Sequence, residues 1–134
     1  MKVPEHLGHK PIIGVDNYDR IDGKYANNTD AKALSIGKSQ WNTEDISAKV
    51  WRHTGEKWTR QSEELPIHRV LDLAILILSS YLREDENGRS KTTLNEVVIN
   101  HEEISTLQKY LNDNKEYLEP RILELKNLLE KISL

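Results

Sequence analysis

The sequence predicts an α+β fold. A small antiparallel sheet with a central β-hairpin at about 46–63 packs on an apolar helix at about 66–83, and a C-terminal helical pair follows. Three observations carry this reading. Residues Ile46 to His53 alternate, with Ile46, Ala48 and Val50 pointing one way and Ser47, Lys49, Trp51 and His53 the other. From Ile67 to Leu82, apolar side chains run nearly all round a helix and leave only a narrow polar stripe. Further on, Leu118, Ile122, Leu125, Leu129 and Ile132 keep a seven-residue hydrophobic pattern.

Residues 1–31 are rich in Gly, Asn, Asp and Pro and read mostly as loop, with a short strand at Pro11 to Val15 and a turn at Asp22-Gly23. Ala33 to Gly37 alternates as a strand, a short helix being the competing reading. In the hairpin, Gly55 marks the turn and Lys57 to Glu63 returns as the second strand. A two-residue loop at Gly55-Glu56 sets His53 opposite Trp58, Trp51 opposite Arg60 and Lys49 opposite Ser62. Pro66 suits the first turn of a helix running to Arg83, with Glu63 and Glu64 capping its N-terminus. Glu84 to Thr93 is a polar loop and Leu94 to Ile99 a short strand. Asn100 is a good N-cap for a helix reaching about Asn112, and the last helix covers roughly Tyr117 to Ile132, with Pro120 near its start. The 134 residues fit a single domain: a loop-rich segment at 1–31, the sheet and buried helix at 32–83, and a mostly helical region at 94–134.

Composition narrows the chemistry. Cysteine is absent, which excludes disulfides, thiolate metal sites and a cysteine nucleophile. A net charge of -3 argues against a nucleic-acid polymer as partner and leaves room only for a local basic patch. The longest apolar run, Leu73 to Leu78, is too short to cross a bilayer, and the N-terminus carries no signal-like hydrophobic region. The expectation is a cytoplasmic protein without membrane contact. His6-Leu7-Gly8-His9 reads as a flexible polar terminus rather than a metal site, and neither metal nor cofactor is expected.

All three tryptophans, Trp41, Trp51 and Trp58, fall in one central stretch. The candidate ligand-binding set is Lys49, Trp51, Arg52, His53, Trp58, Arg60, Gln61, Ser62 and Arg69. In this reading Trp51 and Trp58 stack on a base or sugar, and Lys49, Arg52, Arg60 and Arg69 hold phosphate. Gln61, Ser62 and His53 add polar contacts. The plainer alternative is an exposed strand stabilised by aromatic–cation pairs across the hairpin. Pairing His53 or His68 with Glu63 or Glu64 as a general base matches no known catalytic spacing, so no catalytic residue is assigned.

Four blocks resemble a family of small bacterial and phage-type proteins of unknown function: Asn17-Tyr18-Asp19 to Tyr25-Ala26, Asp30 to Gly37, Gln40-Trp41-Asn42, and Asp45 to His53 continuing to Leu71-Asp72-Leu73-Ala74-Ile75. The resemblance covers roughly residues 11–80. It implies a bacterial or phage-infected cell and brings no activity with it. In that setting, small oligomeric proteins that trap nucleotide immune signals are one known way of working, an analogy of size and site chemistry. The expected function is sequestration of a phosphorylated nucleotide-type signal, a cyclic nucleotide or a cyclic ADP-ribose-like molecule, by a homo-oligomeric sponge that evades anti-phage defence. The alternatives are a protein–protein interaction module or inhibitor, and a nucleotide- or phosphoester-processing enzyme.

Overall fold

The computed structural model describes residues 1–82 and 87–134. The expected helix end at Arg83 and the first residues of the polar loop lie outside the described residues. The chain divides into two compact units, Met1–Leu73 and Ala74–Leu134.

The first unit is a four-stranded antiparallel meander in the order β1-β2-β3-β4, with β1 at Lys10–Val15, β2 at Ala31–Lys38, β3 at Ile46–Arg52 and β4 at Glu63–Pro66. Residues 1–31 are therefore more ordered than their composition suggests. They hold β1 and two 3-10 turns, Tyr18–Arg20 and Gly23–Tyr25. Three residues there take left-handed backbone, Asn17, Gly23 and Asn27, types that tolerate it. The Ala33–Gly37 stretch is strand, its Ala31, Ala33 and Ser35 buried by alternation. At β1–β2 the backbones come very close: a Cβ on Gly37 would meet Lys10 O at 2.0 Å and Pro11 Cα at 2.7 Å. Pro11 sits on the edge strand beside the register shift between Pro11 and Ile13, where its missing N–H costs no ladder bond.

The hairpin departs from its expected register. His53 does face Trp58, but Lys49 pairs with Glu64 and Val50 with Glu63. The returning strand is Glu63–Pro66, not Lys57 to Glu63. A turn at Thr59–Ser62 inserts two residues: Ser62 Oγ accepts from Arg52 N at 2.8 Å and donates to Thr59 O at 3.1 Å. Two extra residues keep the parity of the strand, so the Glu63–Pro66 side chains stay on their faces while their partners change. Pro66 thus closes β4, and Glu63 and Glu64 are strand residues rather than helix caps.

Helix α1, Ile67–Ser79, follows directly. It was expected to lie buried against the sheet, yet Leu71 and Leu73 are well exposed. No helix among the described residues is long and apolar enough to cross a membrane. The second unit has no strand at Leu94 to Ile99. Asn95 is left-handed, and the Glu96 carboxylate accepts from Thr92 Oγ1 and from the Lys91 and Thr92 amides, folding the segment back on itself. Asn100 caps as expected, its side chain accepting from Glu102 N at 3.1 Å. A 3-10 turn, His101–Glu103, leads into α2, Ile104–Asp113. Asn114 joins α2 to α3, Lys115–Lys131, which contains Pro120.

Candidate functional site

The two faces of the sheet carry different chemistry, because alternation on β3 and β4 sends neighbouring residues apart. One face holds a buried polar circuit. His9, read from sequence as part of a mobile terminus, is fully buried just ahead of β1. Its Nε2 lies 2.9 Å from Ser35 Oγ and its Nδ1 2.8 Å from Ser47 Oγ. Trp51 Nε1 donates to Ser35 Oγ at 2.9 Å, and Ser47 Oγ donates to Glu64 Oε2 at 2.8 Å.

The direction of every proton in this chain follows from its ends. The indole N–H only donates and an ionised carboxylate only accepts. Ser35, taking the indole proton, donates to His9 Nε2. His9 is then neutral with its proton on Nδ1, donating to Ser47, which donates to Glu64. Burial is the main cause holding the His9 pKa below 6.5, against the opposing pull of Glu64. Burial pushes the Glu64 carboxyl up, but the Ser47 hydroxyl, the Gln40 amide and the charge of Lys49 outweigh it, and its pKa is lowered. Lys49 closes the circuit, 3.4 Å from Glu64 Oε1 and 3.9 Å above the Trp51 ring.

Serine, histidine and glutamate in this order resemble a hydrolase triad, but Ser35 is only 6% exposed. A nucleophile must meet its substrate, so the circuit is read as the polar core that fixes the sheet.

The opposite face opens into a cleft of about 610 Å³ lined by Tyr18, Asp22, Tyr25, Asp30, Arg52 and Glu63, among others. The two 3-10 turns form one wall and β3 with β4 the other. Arg52 is clamped between carboxylates: Nη2 donates to Glu63 Oε1 at 2.7 Å, Nε donates to both Glu63 oxygens, and Nη1 donates to Asp30. The Glu63 bonds, then those of Asp30, raise the Arg52 pKa. Arg52 in turn lowers that of Glu63. The clamp leaves the carboxylates half exposed, 51% for Asp30 and 49% for Glu63.

The nine residues picked from sequence therefore do not form one site. Lys49 and Trp51 share a face but belong to the buried circuit. Trp51 is 1% exposed, packed edge-on against His9 and Trp58, so it offers no stacking platform. Arg52 alternates to the cleft. His53 and Trp58 meet edge to face at 4.9 Å at the hairpin tip. Ser62 bonds to backbone rather than facing Lys49, and the two-residue insertion removes Arg60 from its expected place opposite Trp51. Arg60 and Gln61 are exposed in the inserted turn, and Arg69 is exposed in the first turn of α1. Sequence reasoning missed Ser35, Ser47 and Asp30, read His9 as part of a flexible terminus, and read Glu63 as a helix cap. The signal for Ser35 and Ser47 was their phase with Trp51 and Ala33, core positions on facing strands.

Comparison with curated proteins gave no match, and comparison with solved structures gave none. A family model matches residues 1–100, a span that holds the whole sheet, the buried circuit and the cleft. The chain belongs to that family, a family of unknown function designated DUF6530.

Proposed function

We propose that the protein is a binding protein for a small polyhydroxylated ligand, of nucleoside or sugar type, held in the cleft between the 3-10 turns and the β3–β4 edge. The observation that carries this reading is the lining: two tyrosines and the carboxylates of Asp22, Asp30 and Glu63 around a space of ligand size. Carboxylates accept hydrogen bonds from paired hydroxyls, as they do from a ribose diol, and tyrosine faces stack on a base or sugar ring. Phosphate suits this lining poorly. The Arg52 guanidinium in the cleft is already paired with Asp30 and Glu63, and a phosphate there would meet the carboxylates of Asp22, Asp30 and Glu63.

The phosphorylated-nucleotide reading has its own support at the hairpin tip, where the His53–Trp58 pair is flanked along the chain by exposed Lys57 and, in the adjoining turn, Arg60. Calorimetry with matched nucleosides, their monophosphates and cyclic dinucleotides separates the two. The cleft reading expects a nucleoside to bind more tightly than its phosphate. It also expects Asp30→Asn to weaken binding by about tenfold or more, the cost of one charge-assisted hydrogen bond. Binding of phosphorylated ligands alone, lost in Arg60→Ala and unchanged in Asp30→Asn, would transfer the site to the hairpin.

A further inference from the structure

In the helical unit an apolar groove of about 330 Å³ runs along α3, lined by Leu78, Ile122, Leu125 and Leu129 with Lys126 and Glu130 beside them. Leu125, Leu129 and Ile132 are half exposed. The spacing of Leu118, Ile122, Leu125 and Leu129 along α3 is the seam of a two-stranded helical pair, and Ile132, in extended backbone just past the helix, lies at its end. The residues flanking the seam decide what fits it.

We propose that the occupant is α3 of a second copy of this chain, running antiparallel. In that arrangement Leu118 and Ile122 lie across from Leu129 and Leu125 of the second copy, and the 17-residue helices overlap along their whole length. Flanking positions of the same kind then face each other in an antiparallel pair. Glu119 meets Lys126 of the second copy, and by symmetry Lys126 meets its Glu119.

The alternatives are disfavoured by the same charges. Sliding the antiparallel pair by one heptad brings Lys126 against Lys126 or Glu119 against Glu119, and uncovers part of the stripe. A parallel pair sets Arg121 against Lys126, and Arg121 already bonds Glu124 of its own helix at 3.3 Å. Full overlap and charge complementarity thus select one register, and a self-complementary surface selects a second copy over an unrelated partner.

The chain has no cysteine, so an introduced thiol is its only one. Full-length Glu119→Cys and Lys126→Cys variants are oxidised separately and as an equimolar mixture. The mixture is expected to give roughly tenfold more disulfide dimer than either variant alone, because only the mixed pair sets the two thiols side by side across the seam, where fluctuation of the helix pair lets them meet. Charge reversal supplies a second measurement by sedimentation. Lys126→Glu alone and Glu119→Lys alone each weaken association by about tenfold, and mixing the two restores it. Equal cross-linking in a single variant, no cross-link in the mixture, or association indifferent to both reversals would overturn the proposal.

Discussion

Protonating His9 breaks the buried circuit at its centre. His9 Nε2 accepts from Ser35, which already accepts the Trp51 indole proton, so a second proton on the ring leaves the Ser35 hydroxyl without an acceptor. The folded-state pKa of His9 lies below 6.5, so between that value and 6.5 the unfolded chain binds more protons than the folded one. Stability is then fully present above 6.5 and falls as the pH drops through the window toward the folded pKa. The lowered Glu64 pKa adds a loss of the same sign as pH falls below 4.5. Urea midpoints measured across pH should therefore climb toward 6.5 and level off above it. A His9→Gln variant, less stable throughout, should lack the climb. A wild-type midpoint unchanged between pH 5 and 7 would remove the neutral-histidine assignment. None of this was visible in sequence, because a histidine next to Gly8 near a terminus has no local pattern. Its burial depends on Ser35 and Ser47, which are 26 and 38 residues away.

Strand phase was legible and strand partnership was not. The alternation Ser47-Lys49-Trp51 against Ala48-Val50 holds in β3, because period two is a local property of an extended chain. The register with β4 depends on the turn at Thr59–Ser62, whose side-chain-to-backbone bonds no hydrophobic pattern records. That turn brings Glu64 to Lys49 and Glu63 toward Arg52, so it creates both the circuit and the cleft clamp. On the other edge, Gly37 limits how β1 can approach. Gly37→Ala places a methyl group into the Lys10 carbonyl and the Pro11 backbone, neither of which is a flexible chain end. We expect it to cost about 1–3 kcal/mol, the range for overpacking. Amide exchange should speed up most in β1, and His9 should be loosened with it. Unchanged exchange at Ile13 to Val15 would show that the edge strand can slide to admit the methyl group.

For the whole molecule, the fully buried apolar side chains among the described residues are Ala31, Ala33 and Trp51, while α1 and α3 expose leucines and isoleucines along their length. The sequence showed that the Ile67–Leu82 stretch was apolar on nearly every side and needed cover. It could not show that the sheet buries a polar face, since serines in a strand read as solvent-facing. A chain of this size ordinarily buries most of the surface that its unfolded form exposes, and a small core gives little stability against the entropy of folding. Association that covers the helices would then contribute to the stability of the fold itself. In a folded dimer that unfolds to two chains, stability per dimer rises by about 1.4 kcal/mol for each tenfold increase in concentration, through mass action. Thermal unfolding followed over a hundredfold range of concentration should therefore move to higher temperature as the protein is concentrated. The Lys126→Glu variant should begin that rise from a lower temperature, and its equimolar mixture with Glu119→Lys should return to the wild-type curve. A melting temperature independent of concentration, in a protein that sediments as a monomer, would mean that the sheet with its polar circuit is sufficient alone.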